Sequence, residues 1–140
     1  MVTKRRVTRK KGKAPSFKGV YRPIPRLSPA EIEAALARGS LDELRRVALS
    51  ASLYGAELDW AARVCLQLTR HADPVVRGNA ILGFGHLARR FGRLDRSLVQ
   101  PLIEAGLRDD DEHVRGQADC ATDDVNQFLG WQIQRPYGGA

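Results

Sequence analysis

The sequence predicts an all-α protein made of three helical hairpins, and three observations lead to this fold class. Capping residues or prolines open six segments in which apolar side chains recur every three or four positions. No window of five or more residues alternates between apolar and polar side chains, so nothing indicates a sheet. A segment of eight residues also recurs 38 positions later, which groups the helices into repeated pairs. The expected hairpins are 29–38 with 41–54, 59–71 with 74–91, and 96–108 with 111–129.

The first hairpin has the clearest helix starts. Residues 28–31 read Ser-Pro-Ala-Glu, which supplies a capping serine, a proline in the first turn and a glutamate that can bond back to the chain. Gly39 ends this helix. Residues 40–43, Ser-Leu-Asp-Glu, repeat the capping box and predict a second helix that stops at Gly55.

The later helices are predicted from acidic caps. An aspartate before a helix accepts hydrogen bonds from the free amides of the first turn. Pro101 falls inside the fifth helix and is expected to kink it or to restart it near Val99. The expected starts are Asp59 for the third helix, Asp73-Pro74 for the fourth, Asp95 for the fifth and the acidic run 109–112 for the sixth.

Length and composition are those of one ordinary domain. The chain has 140 residues, of which 43% are hydrophobic and 28% charged. It contains no apolar run long enough to cross a membrane and opens with charged residues, so we expect no membrane contact and a cytoplasmic protein. Cys65 and Cys120 are isolated and lie in apolar helical contexts, which predicts reduced core thiols without a disulfide or metal site.

Charge is distributed unevenly along the chain. Residues 1–27 hold ten basic and no acidic side chains, whereas the other residues hold 13 basic and 16 acidic ones, a net charge of −3. Blocks of like charge are usually disordered. We therefore divide the chain into a disordered basic arm (1–27), a helical domain (28–131) and a flexible C-terminal tail (132–140). The candidate nucleic-acid contacts of the arm are Lys4, Arg5, Arg6, Arg9, Lys10, Lys11, Lys13 and Lys18.

An internal repeat is the most informative feature. Residues 73–80 (DPVVRGNA) and 111–118 (DEHVRGQA) share Asp, Val, Arg, Gly and Ala at the same positions, and residues 44–49 form a weaker copy of 76–81. A repeat of about 40 residues, with two helices per unit and D-x-x-V-R-x-x-A opening the second helix, resembles the HEAT-repeat family. The likeness is to small stand-alone bacterial proteins of that family and covers roughly residues 28–130.

The resemblance implies a short right-handed α-solenoid and assigns roles to the motif. In HEAT repeats the Asp and Arg of the motif form a ladder between stacked hairpins, which here implies a structural ladder of Asp73, Arg77, Asp111 and Arg115. The second helix of each hairpin tends to line the surface that holds partners. The candidate partner-binding residues are Asn79, His86, Arg89, Arg90, Gln117, Asp123, Asp124 and Gln127.

Two patterns that suggest catalysis have simpler explanations. Residues 83–88 fit the G-x-G-x-x-A fingerprint of dinucleotide-binding proteins, but no second strand follows, so the glycines are expected to allow close helix packing against the next hairpin. No serine or cysteine near His86 lies in a nucleophile motif, and Asp119 and Asp123 lack a third metal ligand at suitable spacing. We therefore expect no enzyme activity, cofactor or metal.

Two functional classes remain open. The first is a protein-binding module, for which an immunity protein or similar stoichiometric inhibitor that masks a toxin is the most specific form. Its size and an acidic patch able to meet a cationic partner fit this class. The alternative is a nucleic-acid-binding protein that uses the basic arm, with an affinity that falls as salt rises. The net charge of −3 on the rest of the chain weakens that alternative.

Overall fold

The computed structural model describes residues 23–137, and in this range the chain is all-α, as predicted. No strand occurs in the described range, and none of its helices is long and apolar enough to cross a membrane. The helices are α1 (Pro29–Arg38), α2 (Leu41–Tyr54), α3 (Leu58–Leu68), α4 (Pro74–Phe91), α5 (Arg96–Leu107) and α6 (Glu112–Leu129).

Four of the predicted helix caps are confirmed. The hydroxyl of Ser28 accepts a hydrogen bond from the amide of Glu31, whose carboxylate accepts one from the amide of Ser28. Asp73, Asp95 and Asp111 each accept a bond from an amide in the first turn of α4, α5 and α6. These caps satisfy donors that the helix itself leaves free.

Two local expectations are wrong. Ser40 precedes α2, but its side chain makes no capping hydrogen bond. The helix α3 begins at Leu58, so Asp59 lies in its first turn and Glu57 holds the cap position without a side-chain bond. Leu58 is buried, and that burial favours the earlier start. The helix α5 continues through the exposed Pro101 and does not restart near Val99.

The helix α4 lies at the centre of the fold. Each helix packs against the next one along the chain, and α4 also packs against both α2 and α6. Its side chains Phe84 and Leu87 are fully buried, as is Ile103 of α5. The helices α2, α4 and α6 therefore lie side by side in chain order, and this arrangement forms the surface described below.

Two glycines allow α4 to approach its neighbours. Gly85 does so against α6 of the next hairpin, as expected, whereas Gly83 does so against α3 of its own hairpin. A Cβ atom at Gly83 would lie 2.7 Å from Sγ of Cys65, and one at Gly85 would lie 3.2 Å from Cα of Ala121. Both distances are shorter than ordinary van der Waals contact. The G-x-G pattern therefore serves helix packing, and no dinucleotide-binding sheet accompanies it among the described residues.

The two cysteines differ in their surroundings. Cys65 is buried in the core as predicted, and its burial raises the pKa of its thiol to about 12. Cys120 is exposed on α6, so its assignment to the core is wrong. It follows Asp119 on α6, and no later helix among the described residues covers it.

The last residues of the expected arm pack on α2. The amide of Leu27 donates to Oγ of Ser50 at 3.1 Å, and this hydroxyl donates to the carbonyl of Pro25 at 2.7 Å. The guanidinium carbon of Arg26 lies 4.6 Å from the ring centre of Tyr54. The arm boundary placed at residue 27 thus falls within a packed segment, while residues 1–22 lie outside the described range.

The segment after α6 also packs on the domain, contrary to the expected flexible tail. Trp131 and Ile133 are buried. The amide of Ile133 donates to the side chain of Asn126 at 2.8 Å, and the Asn126 amide group donates back to the Ile133 carbonyl at 3.2 Å. Burial of the two apolar side chains explains why residues 131–137 lie against the last helix. Residues 138–140 of the expected tail lie outside the described range.

Candidate functional site

The loops that precede α4 and α6 repeat the same contacts. Before α4, the amide of Asp73 donates to Nδ1 of His71 at 3.0 Å, and Arg77 donates to two loop carbonyls. Before α6, the amide of Asp111 donates to a carboxylate at 2.9 Å, and Arg115 donates to two loop carbonyls. The sequence repeat is therefore also a repeat of local structure.

Two ion pairs connect these N-terminal turns to neighbouring helices. Arg45 of α2 donates to both carboxylate oxygens of Asp73, at 3.1 and 2.9 Å. Arg77 of α4 donates to both oxygens of Asp109, at 3.0 Å each. Because these hydrogen bonds favour the charged carboxylate, the pKa of Asp73 falls to about 2 and that of Asp109 is lowered. Each pair joins one hairpin to the next.

The ladder differs in its members from the one implied by the resemblance. Among Asp73, Arg77, Asp111 and Arg115, only the first two form ion pairs, and their partners were not assigned from the sequence. Asp111 caps its own helix, and Arg115 binds carbonyls only. The carboxylate that pairs with Arg77 belongs to Asp109. It also accepts a hydrogen bond from the amide of Asp111, which holds it in place for Arg77.

Asn79 is a buried bridge between three helices, so its assignment to an outward partner-binding row is wrong. Its side chain is 7% exposed. Its amide group donates to the carbonyl of Arg45 in α2 at 2.7 Å, and its oxygen accepts a bond from Gln117 of α6 at 2.8 Å. Nε2 of His113 lies 3.2 Å from the same oxygen. A buried amide must find such partners, and the repeat supplies them on both sides. Gln117, in turn, is partly committed to this bridge.

His86 lies farther along α4 and contacts α2. Its Nδ1 lies 3.0 Å from Oγ of Ser52. Burial, with Arg89 and Arg90 nearby, lowers the pKa of His86 to about 4, so the ring is neutral near pH 7. Ser52 has no exposed surface, so this serine and histidine pair holds two helices together and cannot meet a substrate at the serine.

Arg90 contacts α2, whereas Arg89 and Asp124 form a contact between α4 and α6. Arg90 donates to the carbonyls of Ser52 and Gly55 at 2.8 Å each, which ties α4 to the end of α2. Arg89 is exposed, and its Nη1 lies 3.7 Å from a carboxylate oxygen of Asp124. Partial burial of Asp124 against α4 raises the pKa of its carboxyl, while Arg89 acts in the opposite direction. This loose pair bridges α4 and α6 and leaves Arg89 accessible.

Asp123 points to the other side of α6, toward the C-terminal segment. Arg135 forms ion pairs with both Asp119 and Asp123, and the hydroxyl of Tyr137 donates to Asp119 at 2.8 Å. The Arg135 hydrogen bond lowers the pKa of Asp119. The acidic patch expected at this end of the molecule is therefore partly neutralised by residues of the segment that follows it.

Part of the predicted site, together with Cys120, forms an accessible face made of α4 and α6. Arg89, Cys120 and Gln127 are exposed there, and His86 and Asp124 are half-buried between them. We call these five residues the outer face. It carries one positive group, one carboxylate and neutral polar groups, which suits a mixed polar protein surface.

The predicted nucleic-acid contacts and metal chemistry can be placed only in part. Lys4, Arg5, Arg6, Arg9, Lys10, Lys11, Lys13 and Lys18 all lie outside the described residues. Within residues 23–137, no group of three or more His, Cys, Asp or Glu side chains is arranged to hold a metal ion.

Comparison with known proteins gives one informative likeness. No family model and no curated protein matches the chain. Among solved structures, the chain is similar to a chain in the crystal structure of a CDI complex from Cupriavidus taiwanensis LMG 19424. The two are 26% identical with a TM-score of 0.67, and the alignment covers 79% of this chain and 98% of that chain.

Proposed function

We propose that this chain is a non-catalytic protein-binding module that acts as an immunity protein and masks a toxic partner. The observation that carries the proposal is the likeness to a chain of a CDI (contact-dependent inhibition) complex, at a TM-score of 0.67 over 98% of that chain. A chain of such a complex works in contact with another protein. The same role for this chain agrees with its size and with the polar outer face.

We further propose that the helices form a right-handed stack of three hairpins of the HEAT type. Support comes from the loops before α4 and α6, where caps and arginine contacts recur at equivalent positions. The packing of α2, α4 and α6 side by side also agrees with stacked hairpins. In such a stack the second helix of each hairpin faces partners.

The outer face is the proposed recognition surface. Arg89 and Gln127 are exposed. The hydrogen bonds of Asn79 and Arg90 hold α4, which carries Arg89, against α2, and the bond between Asn79 and Gln117 holds α6, which carries Gln127, against α4. A rigid polar surface of this kind loses little conformational freedom on binding. Partner residues that complement it would carry a carboxylate opposite Arg89 and amide or hydroxyl groups opposite Gln127.

A non-catalytic role is supported by the chemistry available at the surface. The serine next to His86 is fully buried, and the described residues hold no metal-binding cluster. Nucleic-acid binding through residues 1–27 stays a prediction from the charge of that segment alone. It predicts retention on heparin that disappears when residues 1–22 are deleted.

The experiment that tests the proposal uses the protein encoded directly beside this chain. That neighbour is produced in bacteria under an inducible promoter, with and without this chain, and growth is followed. We expect growth arrest by the neighbour alone, recovery with this chain, and a 1:1 complex in size-exclusion chromatography. An unrelated toxic domain serves as the specificity control. Growth arrest that persists in the presence of soluble, folded chain would refute the immunity role.

A further inference from the structure

A groove between α3 and α5 shares no residue with the outer face. Its volume is about 600 Å³. Its floor is apolar, its rim carries two arginines and two aspartates, and α3 and α5 make at most a slight contact with each other. The lining residues include Leu58, Arg63, Leu66, Arg93, Leu94 and Leu98.

The groove exists because of one difference between equivalent helices. The helices α3 and α5 align when 38 positions are added to the numbers of α3. In this register, the buried residues Ala61 and Cys65 correspond to the buried Val99 and Ile103. Trp60 then corresponds to Leu98. At this position, which faces the preceding hairpin, α3 has a large indole side chain and α5 has a smaller leucine.

Trp60 spans the gap between α3 and α1, whereas Leu98 leaves the gap between α5 and α3 open. The indole of Trp60 is packed against the core, and its Nε1 donates to Glu33 of α1 at 2.9 Å. Leu98 is 52% exposed and lines the groove beside α3. The groove beside Leu98 in the third hairpin is thus the space that the indole of Trp60 fills at the equivalent position of the second hairpin.

The rim of the groove suits an aromatic group as well. Arg63 and Arg93 are exposed, and neither forms an ion pair with any residue in the range 23–137. A guanidinium over the face of an aromatic ring is a favourable arrangement. Elsewhere in this molecule, arginines lie over the rings of Tyr54, Phe91 and Trp131 at 4.6 to 5.6 Å.

We infer that the α3–α5 groove receives an aromatic side chain of a partner protein, with the ring on Leu98 and its face toward Arg63 or Arg93. Large aromatic anchors in apolar pockets are the usual centres of binding energy in protein interfaces. The occupant replaces the side chain that Trp60 supplies in the equivalent gap. This site adds a second contact surface to the molecule, and it does not depend on the immunity role.

The test uses small probes that present one side chain on a short backbone. N-acetyl-tryptophan amide and N-acetyl-leucine amide are titrated into the full chain, and leucine methyl shifts are followed by NMR. We expect saturable shifts confined to Leu58, Leu66, Leu94 and Leu98, with at least fivefold tighter binding of the tryptophan probe. The double variant Arg63→Gln, Arg93→Gln should weaken that probe two- to fivefold and leave the leucine probe unchanged.

A matched pair of variants checks the geometry. Leu98→Trp should fill the groove and weaken the tryptophan probe at least tenfold, whereas Leu41→Trp, at another exposed leucine, should not change its binding. Circular dichroism confirms that both variants are folded. Shifts scattered over the surface, or equal binding to wild type and Leu98→Trp, would overturn the inference. So would groove shifts that change with protein concentration or on deletion of residues 1–22, since the occupant would then be a second copy or the chain itself.

Discussion

Arg77 and Asp109 join two hairpins through a pair of hydrogen bonds, each 3.0 Å long. The same guanidinium donates to two carbonyls of the loop before α4, so one side chain fixes both that loop and the loop before α6. Both side chains are half-buried, which limits screening by solvent. This contact is therefore expected to contribute to stability more than a surface ion pair does.

Replacement of this arginine tests that expectation. Arg77→Ala should lower the free energy of unfolding by about 1 to 3 kcal/mol, because the carboxylate and two carbonyls lose their donor. Arg115→Ala should cost about 0.5 to 1.5 kcal/mol, since it removes carbonyl bonds without an ion pair. Urea unfolding followed by circular dichroism measures both, with the exposed Arg108→Ala as control. Equal losses for Arg77→Ala and Arg108→Ala would mean that the ion pair does not hold the hairpins together.

The histidine between α4 and α2 predicts a pH dependence. The pKa of His86 is about 4 in the folded protein and near 6.5 in the unfolded chain. Between these values only the unfolded state binds the proton, so stability falls as pH drops from about 6.5 to about 4 and then levels off for this group. His86→Gln should remove a loss on the order of 1 to 3 kcal/mol from this window in chemical unfolding at each pH. If both proteins show the same slope, His86 does not carry this loss.

Glycines on α4 and α6 offer a matched comparison. A methyl group at Gly85 would lie 2.6 Å from the Asp124 carboxylate and 3.2 Å from the backbone of α6, whereas one at Gly116 meets open space. Gly85→Ala should lower stability by about 1 to 3 kcal/mol. Gly116→Ala should raise it by up to about 1 kcal/mol, because alanine favours the helix. Thermal unfolding of both variants measures these changes in stability. A stabilised Gly85→Ala protein would contradict the close approach of α4 and α6.

The bridge from α3 to α1 is tested by shortening the indole. Trp60→Leu should destabilise the domain by about 1 to 3 kcal/mol, because it removes apolar contact and the hydrogen bond to Glu33. Glu33→Gln keeps an oxygen acceptor and should cost less than about 1 kcal/mol. Denaturant midpoints of the two variants give the comparison. A Trp60→Leu midpoint equal to that of wild type would show that the gap between α1 and α3 needs no filling.

Much of the helical framework follows from local sequence. Ser28 and Glu31 mark the start of α1, Asp73 marks that of α4 and Asp111 that of α6. These starts are predictable because a capping side chain bonds to an amide only three positions away. The start of α3 differs from the predicted one, because burial of Leu58 outweighs the capping preference of Asp59. Local rules predict helices well where caps decide them and less well where packing does.

The side-chain partners were harder to predict. Arg45 aligns with Arg77 in the weaker repeat copy, a signal that pointed to its role at the hairpin boundary. The choice of Asp109 as partner depends on loop geometry that the motif does not encode. Asn79 has the polarity of a surface residue, and its burial follows only from acceptors and donors that α2 and α6 bring to it.

The recognition surface is tested most directly by the dissociation constant of the complex with the toxic neighbour, measured by calorimetry for three variants. Arg89→Glu and Gln127→Arg change the outer face, and Glu104→Arg changes an exposed position on α5 as control. The account predicts that each outer-face variant weakens binding at least tenfold and that Glu104→Arg changes it less than twofold. Wild-type affinity in both outer-face variants would contradict the assignment of this face.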